Sequence, residues 1–432
     1  MERILNEARK AAEEAEVFCI TSEETPVQFE ANRLKNIQSK QSTSVALRII
    51  KNGRIGYATA TNLKESKNIV ASAVETSEFG MKAEFEFPAK TSYPEVHTFD
   101  SAIRRVSTEE MTGLGEQLIE TVRNDTPELQ CEAFVTKATV TIRLVNTRGG
   151  QAEYRQSGFS LGIEGQLIRG TDMLFVGDHQ SSCRPVTDVS GITSVVLQQL
   201  EYARNQASII SGEMPVIFTP RGVASALVQP LMTGFNGKLV LEGSSPVGNK
   251  KGQKLFDDRV SLYDDPTIDY QPGSRMCDDE GVPSQRTPLI ENGTVMNFLY
   301  DLQTAALAGT KSTGSGERHG GLPSPSPGAF VISPGDTAFD DMVADVKEGL
   351  VVEQLMGAGQ GNVLGGDFSG NVLLGYKVEN GKITGRVKDT MVSGNIYRIL
   401  NQIAAVGSDA TWIGGFLQTP PLYFTDISVA GK

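Results

Sequence analysis

Histidines are the first residues to consider, because imidazole is the commonest protein ligand of a catalytic metal. The chain has three, His97, His179 and His319, and they lie far apart in sequence. A zinc helix carries two histidines about one turn apart on one face, and no such pair occurs. The run Asp278-Asp279-Glu280 offers carboxylates to a hard cation. A polar turn is the interpretation that we favour for it.

Three glycine motifs imitate known catalytic or nucleotide-binding loops. Residues 158–162 read GFSLG, like a hydrolase nucleophile elbow, but they lie in strand-like alternation with no helix after them. Residues 309–314 have P-loop glycine spacing, yet Ser315 stands where lysine is required. Residues 357–366 resemble a dinucleotide loop, with Asn362 in place of the third glycine. We therefore predict turns at these positions, and neither serine-hydrolase nor nucleotide chemistry.

The segment 312–330, STGSGERHGGLPSPSPGAF, holds one Arg–His pair among glycines and prolines. A guanidinium can bind a carboxylate through two parallel hydrogen bonds. Arg318 is therefore a candidate for holding a substrate carboxylate, and a structural ion pair is the equal alternative.

The elements that position these residues fall into three predicted units. Residues 1–90 form an α/β unit of helix, strands and helix, and residues 101–210 repeat that order. Residues 212–432 form a glycine-rich, mostly β domain. The sequence therefore predicts an α+β protein with two small N-terminal units and a large C-terminal β-rich domain.

Particular signals place elements within these units. Asn-Gly pairs predict hairpin turns at 52–53, 292–293 and 380–381, and Ser107 with Glu110 predicts a helix N-terminus. The predicted helices cover 3–15, 63–78, 107–123, 189–208 and 340–350, and a further helix at 222–235 is interrupted at Pro230. A strand is predicted at 16–21, and 80–100 is predicted to be an extended connector.

Composition narrows the classes of function. Forty basic against fifty-two acidic side chains give a net charge of −12, which disfavours direct nucleic-acid binding. No stretch has the length of apolar sequence that a membrane helix or signal peptide needs. The four cysteines are widely spaced and form no CxxC pair. We therefore expect a cytoplasmic protein with reduced thiols and no membrane partner.

Several blocks in order give the chain a specific likeness to one family. They are NIQSKQSTSVALRIIKNGRIGYATAT, MCDDEGVPSQRTPLIENGTVMNFLYD, GSGERHGGLPSPSPG, GGDFSGNVLLGYKVENGKITGRV and the ending ISVAG. The chain resembles the TldD/PmbA family, which also carries the label "modulator of DNA gyrase". This resemblance implies membership of a cytoplasmic metalloprotease system, in which TldD and TldE (PmbA) subunits process or degrade small or unfolded peptides.

The resemblance also implies where zinc belongs. The TldD-type subunit binds zinc with an H-E-x-x-x-H helix and a later cysteine. Val228 and Thr233 align with its two histidine positions and Gln229 with its glutamate position, and Pro230 lies within the same stretch. No cysteine follows Cys277. The chain therefore looks like the PmbA/TldE type, with no catalytic or metal-binding residue and no cofactor of its own. Zinc is expected only in a TldD-type partner.

The resemblance leads to further expectations about partners and substrate. A TldD-like subunit, or a second copy of this chain, would complete a peptide chamber. The predicted groove residues are Asp279, Glu280, Gly314, Gly316, Arg318 and His319, and His319 is expected to be a contact residue. Two alternatives stay open: a non-enzymatic binding or regulatory protein linked to a DNA gyrase or toxin–antitoxin pathway, and a self-sufficient hydrolase with residues not yet recognised.

Overall fold

The computed structural model describes residues 1–63 and 66–431. Its N-terminal half contains four helices and seven strands among the described residues. In chain order these are α1 (Glu2–Ala8), β1 (Glu14–Glu30), β2 (Arg33–Ile37), β3 (Lys40–Lys51), β4 (Arg54–Ala60), α2 (Ser66–Ser77), α3 (Thr108–Asp125), β5 (Gln130–Asn146), β6 (Gln151–Arg169), β7 (Asp172–Ser182) and α4 (Ser190–Tyr202).

These strands form one antiparallel sheet, which we call the N-terminal sheet. Its order is β4-β3-β1-β5-β6-β7, with β2 paired to the end of β1. Strand β1 pairs with β5 from Glu16 opposite Asn146 to Phe29 opposite Ala133. The strands of the two predicted N-terminal units therefore belong to a single sheet. Helices α1 and α2 pack on its first half, while α3 and α4 pack on its second half.

The predicted helix at 3–15 is too long, and the strand predicted at 16–21 is too short. The helix ends at Ala8, and β1 begins at Glu14 and runs for 17 residues. The run AAEEAE has good helix propensity, but pairing of Glu14 with Ile50 places the last three residues of the run in the sheet. Tertiary pairing here outweighs local propensity.

The predicted turn and cap signals are confirmed. The Asn and Gly of each Asn-Gly pair both have positive φ, 50° and 69° at 52–53, 44° and 76° at 292–293, and 51° and 75° at 380–381. Positive φ at both central positions is what a type I′ hairpin turn needs. The capping box at Ser107 and Glu110 is complete and opens α3.

The C-terminal half is rich in short strands. Its elements are β8 (Gln206–Ala207), β9 (Gly212–Phe218), α5 (Pro220–Ala226), α6 (Val228–Gly234), α7 (Gly237–Leu241), β10 (Leu262–Asp264), β11 (Thr287–Glu291), β12 (Thr294–Val295), α8 (Leu302–Leu307), β13 (Gly316–Glu317), β14 (Ser324–Pro325), β15 (Phe330–Ile332), α9 (Phe339–Asp345), β16 (Glu348–Met356), β17 (Asp367–Glu379), β18 (Lys382–Val387), β19 (Met391–Asn395), α10 (Ile396–Ile399), β20 (Ile403–Val406), β21 (Thr411–Ile413), β22 (Leu417–Thr419) and β23 (Leu422–Ala430). The predicted α+β class, with a large β-rich C-terminal domain, is confirmed.

A closed ring of strands organises this domain. Strand β16 pairs with both β9 and β17, and the pairs β17–β19, β19–β23 and β23–β9 complete the ring. A second sheet, β12-β11-β10-β15-β22-β21, lies beside it. Apolar side chains from the ring, the second sheet and helices α5 and α6 form one core.

Three helix predictions for the later part of the chain need correction. The break in the 222–235 helix falls at Leu227, which separates α5 from α6, and not at Pro230. Pro230 lies in the first turn of α6, where backbone N–H groups have no intrahelical acceptor. The helix predicted at 340–350 ends at Asp345, and Leu350 belongs to β16. The helix predicted at 189–208 ends at Tyr202.

Two further predictions concern the region between residues 63 and 100. The helix predicted at 63–78 is observed at 66–77, and residues 64–65 of that prediction lie outside the described residues. The connector at 80–100 contains no helix or strand among the described elements, as predicted. Within the described residues, no helix has the length and apolar character needed to cross a membrane.

Replacement of Phe218 by alanine tests the core of the ring. Its buried side chain makes edge-to-face contacts with Phe368 and Phe424, with ring centroids 6.0 and 5.9 Å away. We expect Phe218→Ala to lower the free energy of unfolding by about 3–5 kcal/mol, because it leaves a cavity. Urea denaturation followed by circular dichroism measures this. Phe79→Ala is the matched control because Phe79 is 86% exposed, and an equal loss there would contradict the assignment.

Candidate functional site

A cleft of about 450 Å³ lies between the N-terminal sheet and the C-terminal domain. The sheet contributes Ile20, Val140, Ile142 and Tyr154, and the domain contributes residues 272–275, 317–319 and 326–328. The size is within the range of small-ligand sites, roughly 300–1,000 Å³. We call this cavity the cleft.

Strand register explains the apolar wall of the cleft. Ile20 of β1 lies opposite Ile142 of β5, which lies opposite Tyr154 of β6. Directly paired residues point to the same face of a sheet, so these three side chains form one row across three strands. Val140 and Gln156 pair in the next row on that face.

Loop backbones form the opposite wall. Gln156 Nε2 donates a hydrogen bond of 2.5 Å to the Pro272 carbonyl and so connects the sheet to residues 272–275. A Cβ at Gly273 would lie 1.9 Å from the Gly328 carbonyl oxygen, so the two loops approach too closely for any other residue at 273. Asp264 holds the second loop by accepting hydrogen bonds from the Gly328 and Ala329 amides at 2.9 and 2.8 Å.

Behind the cleft lies a group of four charged side chains, which we call the buried charge cluster: Glu16, Arg48, Glu280 and Arg318. Arg48 donates to Glu280 Oε1 at 2.5 Å and to Glu16 Oε1 at 3.0 Å. Arg318 Nη2 also donates to Glu16 Oε1. Each of the four side chains is at most 4% exposed. Buried charges require such pairing, because desolvation of an isolated ion is costly.

Aromatic rings surround the two arginines of this cluster. The Arg48 guanidinium carbon lies 4.8 Å from the Phe85 ring centroid and 4.9 Å from that of Phe87, both in the connector. Arg318 lies 5.2 Å from the Phe18 ring centroid. These faces offer the cations favourable electrostatics where water is excluded.

The acidic run 278–280 forms a turn. Asp279 accepts a hydrogen bond from the Arg318 amide, and Glu280 accepts one from the Arg48 side chain. Asp278 accepts from the Glu280, Val282 and Gly316 amides at 3.0, 2.9 and 2.8 Å. Burial, together with the nearby Glu280 charge, raises the pKa of Asp278 to about 8. Across residues 1–63 and 66–431, no group of three or more His, Cys, Asp or Glu side chains is arranged to hold a metal ion.

The predicted groove residues divide into two groups. Asp279, Arg318 and His319 line the cleft. Glu280, Gly314 and Gly316 lie behind it: Glu280 is fully buried in the charge cluster, and Cβ atoms at Gly316 and Gly314 would meet the Glu280 carboxylate and the Pro283 carbonyl at 2.5 and 2.6 Å.

Arg318 and His319 have unlike surroundings. The Arg318 side chain is 4% exposed and bonded to Glu16, and its amide donates to Asp279 Oδ2 at 2.8 Å. This is the structural ion pair that stood as the alternative to carboxylate binding. The His319 side chain is 66% exposed at the rim, with Nε2 3.9 Å from Glu317.

The residues aligned with the zinc helix lie in α6, next to the cleft. Val228 is buried in the apolar core. Gln229 is exposed, and Thr233 donates from its hydroxyl to the Gln229 carbonyl at 2.8 Å. Met232 of the same helix lines the cleft.

Arg275 is a cleft residue that the sequence analysis missed. It is 9% exposed, and neither Nε nor Nη2 has a hydrogen-bond partner within the described part of the chain. The available signal was a single basic residue in the turn-rich stretch QPGSRM, directly before the acidic run.

Two more arginine–carboxylate contacts join the N-terminal sheet to the C-terminal domain at its β7 edge. Arg221 of α5 donates to Asp178 of β7 at 2.9 Å. Arg386 of β18 pairs with Asp172 at the start of β7. The sheet and the domain are thus connected by arginine–carboxylate pairs at β1 and β3 and again at β7.

Comparison with known proteins gives consistent matches. The family model described as "PmbA/TldA metallopeptidase C-terminal domain" matches residues 211–431, and "PmbA/TldA metallopeptidase domain 1" matches residues 15–78. An uncharacterized protein of Methanocaldococcus jannaschii is 28% identical over 93% of both chains. A metalloprotease TldD homolog of Buchnera aphidicola is 32% identical over 46% of this chain and 42% of its own length.

The fold also has a solved counterpart. The crystal structure of TldE from Thermococcus kodakarensis superposes with a TM-score of 0.90, covers 100% of both chains and is 23% identical. The fold therefore matches over the full described length.

Replacement of Glu16 by glutamine tests the buried charge cluster. The change removes the carboxylate charge that Arg48 and Arg318 share, so we expect a loss of about 3–5 kcal/mol in the free energy of unfolding. Thermal or urea unfolding measures it. Glu23→Gln, at an exposed position on the same strand, is the control. Similar small effects in both variants would mean that the cluster contributes little.

A pH series on Asp264→Asn tests the loop that Asp264 holds. Burial raises the pKa of Asp264 to about 7, whereas an unfolded Asp has a pKa near 3.9. Between these values the folded protein keeps a proton that the unfolded chain has lost, so this group makes stability fall as pH rises from about 4 to about 7. Asp264→Asn removes that contribution and keeps an acceptor for the two amides.

The expected readout is the difference between the two melting temperatures. Over that pH range the wild-type protein should lose stability relative to the variant, and the difference should stay constant at higher pH. Melting curves that run parallel from acid to neutral pH would contradict a buried, proton-retaining Asp264.

Proposed function

The chain belongs to the PmbA/TldA metallopeptidase family, and from that premise we propose that it is a PmbA/TldE-like subunit of a cytoplasmic metalloprotease complex. In this role it binds no zinc itself and helps to hold small or unfolded peptides that the complex processes or degrades. A TldD-type subunit, which the relatives include by name, is the expected partner and the source of the metal.

The character of α6 is the observation that carries this proposal. The helix lies beside the cleft through Met232, yet Val228 is an apolar core residue and Gln229 is an amide that cannot act as a general base. Thr233 uses its hydroxyl within the helix. A peptide in the cleft would therefore meet binding groups from this chain and would need its hydrolytic groups from elsewhere.

The composition of the cleft supports peptide binding. One wall is the apolar row Ile20, Ile142 and Tyr154, and the other consists of loop backbone with charged groups. Apolar surface with a few oriented polar groups is typical of sites that bind small organic ligands. A short peptide offers both apolar side chains and backbone polar groups to such walls.

The test uses this chain alone, a TldD-type protein alone, and the two expressed together. We expect the pair to copurify, to contain zinc, and to cleave an unstructured peptide in a manner that a chelator abolishes. This chain alone should contain no stoichiometric zinc and should leave the peptide intact. Elemental analysis and chromatography of the peptide products measure these outcomes.

The alternative functions predict different results. Cleavage by this chain alone that resists a chelator would indicate a self-sufficient hydrolase. A stable pair that cleaves no peptide would favour a binding or regulatory protein. Either result would overturn the proposed function.

A further inference from the structure

Arg275 differs from the two other arginines near the cleft. Arg48 and Arg318 each lie within 3.0 Å of a carboxylate oxygen. By contrast, no carboxylate oxygen of the described residues lies within 4.0 Å of an Arg275 guanidinium nitrogen. Its Nε and Nη2 are buried without hydrogen-bond partners among the described residues. A guanidinium that is nine-tenths buried with two of its nitrogens unpaired is costly to keep.

The surroundings of Arg275 keep it charged without bonding it. Asp279 and Glu317 lie near enough to attract the guanidinium electrostatically, and Asp278 and Asp264 are also near, although burial raises the pKa of each of these two and favours its protonated form. Three of these carboxylates are used elsewhere: Asp278 and Asp264 accept from backbone amides, and Asp279 accepts from the Arg318 amide. The nearby carboxylates therefore balance the charge of Arg275 without contacting it. Its Nε and Nη2 N–H groups remain free to donate hydrogen bonds to a ligand.

We propose that Arg275 binds a carboxylate of a peptide held in the cleft, either the terminal carboxylate or that of an acidic side chain. The parallel N–H groups of a guanidinium match the two oxygens of a carboxylate. Arg275 lines the cavity, so a carboxylate in the cleft would lie against this side chain. A small side-chain rotation of the kind common on binding brings Nη2 to a carboxylate oxygen.

The apolar wall adds a second element of selectivity. Ile20 and Ile142 lie across the cleft from the loop that carries Arg275. A peptide whose carboxylate contacts Arg275 would place an adjacent apolar side chain against this row. Asp279 and Glu317 also line the cleft and would repel a carboxylate bound anywhere except at Arg275, which restricts the position of the anion.

This inference deepens the proposed function and rests on it for the identity of the ligand as a peptide. Its test measures binding to this chain alone, without a partner and without cleavage. A failure of binding therefore differs from a failure of the pair to cleave.

The experiment is isothermal titration calorimetry of the full chain with three N-acetylated tripeptides. The first is acetyl-Ala-Ala-Leu with a free carboxylate, the second is its C-terminal amide, and the third is acetyl-Ala-Asp-Leu amide. Acetylation removes the amine that Asp279 and Glu317 would attract. We expect the free acid to bind about tenfold more tightly than its amide, as a hydrogen-bonded charge pair predicts.

Variants assign the effect to one side chain. Arg275→Gln should abolish the difference between acid and amide, and Arg275→Lys, which keeps the charge but loses the planar fork, should reduce it. Arg286→Gln is the matched control: Arg286 is exposed, lies over the Tyr263 ring at 3.9 Å and is outside the cleft. Melting temperatures establish that each variant is folded. If Arg275→Gln does not fold, two measurements still test the proposal. These are the acid–amide difference in the wild-type chain and its reduction in Arg275→Lys.

Each outcome decides the proposal. Tight binding of the free acid alone supports recognition of the peptide C-terminus, and equally tight binding of the Asp-containing amide supports recognition of an acidic side chain. Equal affinity of acetyl-Ala-Ala-Leu and its amide for the wild-type chain, absence of binding by all three peptides, or an acid–amide difference that survives in Arg275→Gln would each overturn it.

Discussion

Pairing of charges inside the molecule is the constraint on which the cleft depends. Glu16 accepts hydrogen bonds from Arg48 and Arg318. Arg48 also donates a hydrogen bond to Glu280. Two of these residues come from the N-terminal sheet and two from the C-terminal domain. Because none of the four can be left unpaired in a buried position, the cluster fixes the sheet and the domain relative to each other. The cavity between them therefore has a defined shape.

The same cluster explains why glycine is needed near the cleft. Gly316 lies against the Glu280 carboxylate, where a Cβ would come within 2.5 Å of an oxygen. The Gly316 amide also donates a hydrogen bond to the Asp278 carboxyl group, so the backbone at this residue helps to hold the acidic turn in place. Within 312–330, glycine is required at 316 by the Glu280 carboxylate and at 314 by the Pro283 carbonyl. This explains the segment better than a flexible linker does.

Local signals in the sequence were sufficient for local structure. Asn-Gly pairs and the Ser107–Glu110 capping box act within a few residues, so they could be interpreted without knowledge of the fold. The alternation of helical and strand-like segments likewise indicated an α+β protein with a β-rich C-terminal domain. The features that could not be predicted depend on long-range pairing. The single N-terminal sheet needs β1 to meet β5, and pairing of Glu14–Glu16 with β3 overrides the helix propensity at the end of the predicted helix 3–15.

The candidate site likewise has some residues that could be predicted from the sequence and others that depend on long-range contacts. Asp279, Arg318 and His319 were expected at a groove because of the family resemblance of their sequence blocks, and these three residues line the cleft. That Arg318 bonds to Glu16, 302 residues earlier in the chain, carries no local signature. Arg275 was missed for a related reason: its importance lies in the partners that it lacks, and a sequence cannot display an absent contact.

The long separation between Glu16 and Arg318 has a consequence for biosynthesis. The ribosome makes the chain from the N-terminus, so β1 and β3 emerge with Glu16 and Arg48 well before residues 280 and 318 exist. During that interval the growing chain carries charged side chains in positions destined for the interior, and the sheet has no cover on one face. Domains whose contacts span such distances fold slowly and expose surface meanwhile. The charge cluster can therefore be completed only after Arg318 has been synthesised, when about three quarters of the chain already exists.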